Sequence, residues 1–265
     1  MNPSSYPDLA SIDGQSINIP TLDAGVAAAI DRAVAGRGFR FFTLNLDHVV
    51  KRRDDPAFRA AYATAEFISA DGAPVAVLAR RQAPQVRRTT GADLVRPLCR
   101  EAARRGVPIA FFGSNIETLE KSARALSSEF PGLVIAHREA PPYGFDPTSP
   151  MAEEAIKRIG ESGARIVFVA LGAPKQELLA AHAARYAPEL GFVCIGAALD
   201  FLAGTQKRAP LIFQRTGFEW LWRLGTNPTR LAKRYALCAG VLAQLLMKTP
   251  GNLPRRMMTR TTPQG

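Results

Sequence analysis

Residues 166–177 have the sequence IVFVALGAPKQE, and this stretch decides the fold predicted for the chain. It begins with an apolar run, residues 166–171, that is rich in β-branched side chains. Such a run is typical of a strand that is buried on both faces in the centre of a parallel sheet. Gly172 ends the strand, and Pro174 suits the first position of a helix, where a missing N–H costs nothing. The stretch therefore predicts a strand, a short loop and a helix in series.

The polar residues Lys175, Gln176 and Glu177 lie at the start of this predicted helix. Ligands of open α/β sheets bind outside the carboxyl ends of the strands, and the free amides of a helix N-terminus favour anions. These residues are therefore candidates for one wall of a binding crevice. The alternative is an ordinary strand-to-helix loop with solvated polar residues, and this stretch alone favours neither interpretation.

Apolar strands alternate with helices along most of the chain. Strands are predicted at residues 39–45, 67–69, 108–112, 133–136, 165–171 and 191–196, and helices at residues 21–37, 55–66, 92–106, 116–130, 151–162 and 176–186. A shorter apolar element is predicted at 74–79 and a basic loop at 80–88. This alternation predicts an α/β fold with a mostly parallel, Rossmann-like sheet and helices on both faces. Neither a G-x-G-x-x-G nor a Walker motif occurs, which argues against dehydrogenases and NTPases.

The positive charge is concentrated at the C-terminal end. The net charge is +11, and residues 205–265 contain eleven Lys and Arg but only one acidic residue, Glu219. Two helices are predicted there, at 213–224 and 228–248, and their mixture of aromatic, Leu and Arg residues suits a membrane surface. The alternative is a helix pair packed on the domain with a solvated basic face.

These patterns predict four regions. They are a flexible lead-in at 1–20, an α/β domain at 21–210, a basic amphipathic helical appendage suited to a membrane surface at 211–250, and a disordered tail at 251–265.

Composition excludes several classes of protein. The three cysteines, Cys99, Cys194 and Cys238, are odd in number and far apart, which argues against a disulfide framework and a thiolate metal site. We expect them in apolar packing in a reducing cytoplasm. The first residues show no basic segment followed by an apolar run, and no apolar stretch reaches the roughly 18–20 residues of a membrane span. The sequence thus predicts neither a signal peptide nor a transmembrane helix.

Candidate chemistry is confined to the ends of the predicted strands. The three histidines lack metal-ligand spacing, and neither a G-x-S-x-G motif nor a pair of carboxylates at a strand end occurs. The polar residues that remain there are Thr43, Asn45, Asp71, Asn115, Gln176, Glu177 and Asp200. Asp71 follows an apolar strand and precedes Gly72, so a partly desolvated carboxylate could act as a general base. The alternative, an Asp-Gly turn without chemistry, is the commoner case for an isolated pair.

Six motifs follow one another between Phe39 and Tyr235. They are TLNLDH (43–48), ISADGAPV (68–75), RRTTGADL (87–94), LGAPKQE (171–177), GAALDFLAGTQKRAP (196–210) and GFEWLWRLGTNPTRLAKRY (217–235). Each is weak alone, but together, in this order, they resemble the WecG/TagA/CpsF glycosyltransferases. The chain departs from the family pattern where ADGAPV lacks a second Gly and where TTG replaces V-T-G or V-A-G, and these departures weaken any inference about the sugar.

This resemblance implies an inverting glycosyltransferase. The donor would be a UDP-sugar carrying a hexose or an N-acetylmannosamine-type sugar, and the acceptor a polyprenyl-diphosphate-linked saccharide. Transfer would need neither metal nor cofactor. The enzyme would work on the inner face of the cytoplasmic membrane, where the basic appendage meets anionic lipid and completes the active site, and its product would enter exopolysaccharide, capsule or a related surface polymer.

The family pattern also implies roles for individual residues, with Asp71 as the catalytic base. The predicted substrate-binding residues, at strand ends and in the motifs, are Thr43, Asn45, Arg88, Asp93, Gly113, Gly172, Lys175, Gln176, Glu177, Asp200 and Arg208. The arginines predicted to meet diphosphate or membrane are Arg223, Arg230 and Arg234.

Two other functions remain as alternatives. The pI of about 10.1 favours a nucleic-acid-binding protein, but the charge lies in one tail and no nucleic-acid-binding motif occurs, so no nucleic acid is expected as a partner. The other alternative is a catalytically silent subunit that binds a nucleotide sugar. The sequence leaves the oligomeric state open, a homo-oligomer included.

Overall fold

The structure is a computed structural model, and it describes residues 6–206, 209–210, 213, 222, 225 and 228–248. The strands are β1 (Ala10–Ile12), β2 (Gln15–Ile17), β3 (Phe39–Leu44), β4 (Phe67–Ala70), β5 (Ile109–Gly113), β6 (Ile135–Glu139), β7 (Ile166–Ala170) and β8 (Gly191–Cys194). The helices are α1 (Leu22–Val34), α2 (Leu46–Asp54), α3 (Pro56–Ala63), α4 (Ala73–Gln82), α5 (Gly91–Arg105), α6 (Ile116–Glu129), α7 (Pro150–Glu161), α8 (Lys175–Ala183), α9 (Ala198–Leu202) and α10 (Pro228–Lys248).

Strands β3 to β8 form a parallel sheet in the order β4-β3-β8-β7-β5-β6. Strand β7 lies between β8 and β5, and every residue of β7 is buried. The predicted α/β fold with a mostly parallel sheet is therefore confirmed, and the apolar run at 166–171 is a central strand as expected. The helix predicted at 176–186 runs from Lys175 to Ala183, and Pro174 is its N-cap rather than its first residue.

Helices cover both faces of this sheet. Helices α1, α5, α6 and α9 contribute to one buried apolar cluster, and α2, α3, α4, α7, α8 and α10 contribute to the other. Strand side chains alternate between the two clusters, as in β3, where Phe41 joins the first and Phe42 the second. The two clusters together bury the inner strands of the sheet, as required of parallel strands, while the edge strand β6 stays partly exposed.

The segment between β3 and β4 differs from the prediction. One helix was expected at 55–66, but the structure has two, α2 and α3. The side chain of Asn45 caps α2, and the side chain of Asp55 caps α3 and is followed by Pro56 in its first turn. Both caps are ordinary helix-start signals. The polar sequence of α2 hid it, because only Val49 of its aliphatic side chains is fully buried.

The prediction of a flexible lead-in over residues 1–20 is wrong for the described residues 6–20. Strands β1 and β2 pair as an antiparallel hairpin. Ile12 and Ile17 of this hairpin belong to the buried core. The Asn18 side chain accepts from Ile68 N at 2.8 Å and donates to Glu66 O at 2.7 Å. The apolar burial and this amide bridge order the segment against β4.

Helix α10 has the bounds predicted for the second C-terminal helix, and it packs on the domain. Cys238, Val241 and Leu245 are buried, and the two aliphatic residues join the cluster that contains α2. Of the other predictions for this end, the helix at 213–224 and the tail at 251–265 lie outside the described residues, and the boundary at 210 stays a prediction. None of the helices that the structure describes is long and apolar enough to cross a membrane.

Candidate active site

The carboxyl ends of β3 to β8 meet at one edge of the parallel sheet, and the candidate site lies along this edge. The chain leaves β5 towards β6 on one side and leaves β7 towards β8 on the other, so the connections diverge between β5 and β7. Such a divergence is where open α/β sheets bind ligands. We call the cleft along this edge the crevice.

Gly113 closes the β5 side of the crevice against β7. It has a φ of +117°, and a Cβ added there would lie 2.4 Å from Ala170 O. The next residue, Ser114, has a φ of 52°. Its backbone N–H donates to Ala170 O at 2.9 Å, and its hydroxyl donates to Asp200 Oδ1 at 2.8 Å. The structure shows a backbone role for Gly113, and its contact with substrate stays a prediction. Ser114 brings Asp200 of α9 to this end of the crevice.

We expect Gly113→Ala to lower the free energy of unfolding by at least about 2 kcal/mol, because a side chain at this φ is strained and meets backbone. Gly172→Ala is the matched control, since a Cβ there has nothing within 4 Å. Urea denaturation of both variants measures the difference. Equal stability of the two variants would contradict this account of Gly113.

Asp71 and Thr43 lie together at the ends of β4 and β3. The Thr43 hydroxyl donates to Asp71 Oδ2 at 3.1 Å, and the Asp71 backbone N–H donates to Leu44 O at 2.8 Å. Gly72, the N-cap of α4, follows with a φ of +76°. The Asp71 carboxylate is half-buried, which leaves it accessible to a ligand while Thr43 orients it.

The N-terminus of α5 lies beside Asp71. The Thr89 N–H donates to Ala70 O at 2.8 Å, and a Cβ added to Gly91 would lie 2.8 Å from Cys194 O at the end of β8. Thr90 and Asp93 form a capping box at this helix start. Arg88 Nη2 lies 3.7 Å from Asp93 Oδ2. The predicted residues Arg88 and Asp93 therefore share one corner of the crevice with the positive end of the α5 dipole.

Gln176 does not point its amide to an open cleft. Its Oε1 accepts from Gly196 N at 3.0 Å, its Nε2 donates to Glu177 Oε1 at 2.8 Å, and the residue is only 4% exposed. Both polar ends of the amide are thus engaged within the protein. The structure places Gln176 as a link between α8 and the β8–α9 turn, and its contact with the sugar stays a prediction.

Three other predicted residues also make contacts within the protein. Lys175 Nζ donates to Phe145 O at 2.8 Å, in the loop after β6. Asn45 Oδ1 accepts from His48 N at 3.0 Å as the cap of α2. Gly172 is exposed, and its carbonyl accepts from Lys175 N at 2.9 Å. All three lie at the predicted edge, and their contact with substrate stays a prediction.

A buried polar network lies beneath the Thr43 end of the crevice. His48 Nδ1 lies 2.9 Å from Thr43 O and 2.7 Å from Tyr62 Oη, and the Tyr62 hydroxyl donates to Thr43 O at 2.9 Å. Glu177 Oε1 lies 4.0 Å from His48 Nδ1. Sequence reasoning missed the roles of His48 and Tyr62 here. The available signal was the His of the TLNLDH motif, which follows the polar end of β3.

Burial keeps both ionisable members of this pair uncharged. It lowers the pKa of His48 to about 4 and raises the pKa of Glu177 to about 7. Their separation would allow an ion pair, but between these two pH values the histidine has lost its proton and the carboxyl has kept its own. We therefore describe the contact as one between neutral groups, in a site that disfavours charge.

The network predicts a pH-dependent stability with a known sign. The pKa of Glu177 in the folded protein lies above the ordinary 4.5. Its contribution to the free energy of unfolding is therefore fully present below pH 4.5 and is lost as pH rises to about 7. As pH rises over that interval, the free energy of unfolding of Glu177→Gln should therefore increase by up to about 3 kcal/mol relative to that of wild type. Urea denaturation at several pH values measures this gain. His48 acts oppositely, because its contribution is present above pH 6.5 and is lost as pH falls to about 4. A stability difference that does not change with pH would contradict the buried neutral carboxyl.

The start of α10 reaches the rim of the crevice through α2. Arg234 Nε lies 2.8 Å from Asp47 Oδ1, and Lys51 Nζ lies 2.8 Å from Asp47 Oδ2. Lys51 Nζ also donates to Ala173 O at 3.1 Å, in the loop between β7 and α8. Arg208 and Arg223 lie outside the described residues, and so does the side chain of Arg230. Diphosphate binding by these arginines stays a prediction.

Two other features of the described residues do not place the site elsewhere. Within the part of the chain that the structure describes, no group of three or more His, Cys, Asp and Glu could hold a metal ion. Metal-independent transfer stays a prediction. A cavity of about 450 Å³ lies at the amino ends of β3 and β8, lined in part by Arg40 and Glu66. It lies at the opposite edge of the sheet from the predicted polar residues, so we do not assign it to the site.

One comparison with known proteins bears on this site. Residues 10–255 of the chain match a family described as "Glycosyl transferase WecG/TagA/CpsF family". The match begins at the first residue of β1 and extends beyond α10, so it includes the hairpin, the whole parallel sheet and the crevice.

Proposed function

Since the chain belongs to the WecG/TagA/CpsF family of glycosyltransferases, which act in surface polysaccharide biosynthesis, we propose a specific reaction for it. The enzyme transfers a hexose or an N-acetylmannosamine-type sugar from a UDP-sugar to a polyprenyl-diphosphate-linked saccharide. The anomeric configuration is inverted. The product enters exopolysaccharide, capsule or a related surface polymer.

The placement of Asp71 is the observation that supports this proposal most. The carboxylate is half-buried at the carboxyl edge of the sheet, and the Thr43 hydroxyl orients it from 3.1 Å. In the proposed step Asp71 takes the proton of the acceptor hydroxyl while the oxygen of that hydroxyl attacks the anomeric carbon of the donor sugar. The bond between that carbon and the β-phosphate oxygen breaks, and its electron pair leaves with UDP. A single displacement without a covalent intermediate inverts the configuration at the anomeric carbon.

Fixed cations and helix amides stabilise the leaving UDP in this proposal. Arg88 and the N-terminus of α5 lie at the same corner as Asp71, and both favour an anion. Arg223, Arg230 and Arg234 complete the site from the C-terminal segment. Arginine binds phosphate bidentately and keeps its charge, so this arrangement needs neither a metal nor another cofactor.

We propose that the enzyme is peripheral on the inner face of the cytoplasmic membrane. Leu237, Leu246 and Met247 of α10 are exposed, and the net charge of the chain is concentrated at this end. Anionic lipids attract such residues by about 1 kcal/mol per basic side chain near the surface. Membrane binding would bring the crevice to its lipid-linked acceptor.

A two-step assay tests the proposed function. UDP-sugars are first screened by thermal shift, and each stabilising sugar is then incubated with polyprenyl-diphosphate saccharides on anionic vesicles while UDP release and product are measured. We expect one donor to give both stabilisation and a glycosylated lipid. Donor binding without transfer to any acceptor would favour the catalytically silent subunit. Retention on DNA at physiological salt, without retention on anionic vesicles, would favour the nucleic-acid-binding alternative.

A further inference from the structure

Glu177, which the sequence predicts to bind substrate, is a fully buried carboxyl group, and the proposed reaction gives it no contact with substrate. It lies in the first turn of α8, is 0% exposed, and its Oε1 accepts from Gln176 Nε2 at 2.8 Å. Within the described residues, Oε2 has no hydrogen-bond partner. Burying an unsatisfied polar atom costs free energy, so the position requires an explanation.

The contacts of Gln176 explain what the Glu177 carboxyl does. The Gly196 N–H can only donate, so the Gln176 atom at 3.0 Å from it must be the amide oxygen. The amide nitrogen then faces Glu177, whose Oε1 must accept. Glu177 therefore holds the Gln176 amide in the one orientation that binds Gly196.

Gly196 forms the turn between β8 and α9, with a φ of +55°. Helix α9 carries Asp200, which accepts from the Ser114 hydroxyl at the end of β5. The hydrogen bonds from Glu177 through Gln176 to Gly196 thus fix a turn that places Asp200 along the crevice. The path runs entirely through hydrogen bonds and backbone.

The same oxygen of Glu177, Oε1, also lies near the residues that support the proposed base. His48 Nδ1 lies 4.0 Å from Glu177 Oε1, and both His48 and Tyr62 contact Thr43 O. The Thr43 hydroxyl in turn donates to Asp71. A charge on Glu177 would therefore act on both ends of the crevice from between them.

We propose that Glu177 in its acid form is a positioning residue of the transfer reaction, holding Gln176 on the Gly196 N–H and leaving the His48–Thr43 contact undisturbed. Once ionised, the carboxylate must recruit a cation or water into this packed site, and the turn moves with it. This inference rests on the proposed function.

The ionisation of Glu177 can be distinguished from that of His48, Tyr62 and Cys194 by the pH at which it occurs. The elements packed against it present His48, Asp47 and Lys51 from α2, Tyr62 from α3 and Cys194 from β8. Burial lowers the pKa of His48 to about 4 and raises the pKa values of Tyr62 and Cys194 well above their ordinary values. Burial raises the pKa of Glu177 to about 7. Among His48, Tyr62, Cys194 and Glu177, it is therefore Glu177 that ionises near neutral pH.

The test compares wild type with Glu177→Gln and Glu177→Met, each folded by circular dichroism, in the transfer assay between about pH 6 and about pH 9. For wild type we expect kcat to fall above about pH 7, up to about tenfold per unit, with the donor KM little changed. Glu177→Gln should match the wild-type kcat near pH 6 within about threefold and lose the fall, because an amide cannot ionise. Glu177→Met should lose about tenfold or more at every pH. An unchanged fall in Glu177→Gln, or full turnover by Glu177→Met, would overturn the proposal.

A second readout does not depend on the reaction. In ¹⁵N-labelled protein, the Gly196 amide resonance should titrate with a midpoint near pH 7 in wild type and stay constant in Glu177→Gln. A constant Gly196 resonance in wild type would overturn the positioning role, even in an active enzyme. A titrating resonance in a protein that transfers no sugar would instead refute the proposed function and leave the contact established.

Discussion

Replacing Asp71 by Asn is expected to lower kcat for sugar transfer by about 10²–10⁴-fold, while the affinity for the UDP-sugar stays within about threefold. Asparagine has the shape of aspartate and its side-chain oxygen still accepts from the Thr43 hydroxyl, which lies 3.1 Å from Asp71 Oδ2. An amide cannot take the proton of the acceptor hydroxyl at neutral pH. Single-turnover kinetics and a thermal shift with the donor measure chemistry and binding separately.

Asp55→Asn is the matched control for this variant. Asp55 caps α3 with its side chain, and asparagine caps helices as well as aspartate does, so the control removes one carboxylate without changing the fold. We expect wild-type turnover from it. Normal turnover by Asp71→Asn would refute the assignment of the base, whatever the control does.

The second large effect is expected from the double variant Arg223→Ala, Arg230→Ala. We expect kcat/KM to fall by about 10²–10³-fold, because the diphosphate loses fixed charge in the transition state. Retention on anionic vesicles should fall as well, by about 1 kcal/mol per residue removed. Vesicle sedimentation and the transfer assay on the same preparation measure both effects.

The double variant Arg80→Ala, Arg81→Ala is its control. These arginines are exposed in the last turn of α4, so the control removes the same net charge from another surface. It should transfer sugar normally. Equal losses from the two double variants would show that net charge alone matters, and would contradict a site completed by the C-terminal segment.

Deleting residues from Phe213 onward is a coarser test of the same idea. Membrane association and transfer should disappear together. The deletion also removes the buried side chains Val241 and Leu245 from the core of the domain, so a loss of thermal stability is expected in addition. Normal glycosylation of a lipid-linked acceptor by the truncated protein would refute the appendage hypothesis.

The sheet was predictable because its strands carry strong local signals. Strands β3, β7 and β8 are apolar and buried throughout or nearly so. Thr21 and Thr90 cap α1 and α5, the two helices whose starts these threonines predict. The N-terminal hairpin was missed because its strands have three residues each, too few for an alternating pattern to stand out. Its order comes from tertiary contacts, which no local pattern contains.

The edge that bears the candidate site was also predictable, but the directions of its side chains were not. The rule that ligands bind at the carboxyl ends of strands brought Asp71 and Thr43 together correctly. It could not reveal that the Gln176 amide faces Gly196, or that Gly113 is required by the approach of Ala170. Both facts depend on how β5, β7 and β8 are spaced in three dimensions.

The order of the strands has a consequence for the synthesis of this protein on the ribosome. Strand β3 can pair with β4 soon after both have been synthesised. Its other neighbour is β8, so the pairing of Phe39 with Gly191 can form only after residue 191 has been added. Until most of the chain has been made, the backbone groups of β3 on that side have no partner. Such an edge is prone to pair with other chains. We therefore expect overproduction at high temperature to yield aggregates formed by incomplete chains, and a lower level of synthesis to raise the fraction of active enzyme, because fewer incomplete chains are then present together.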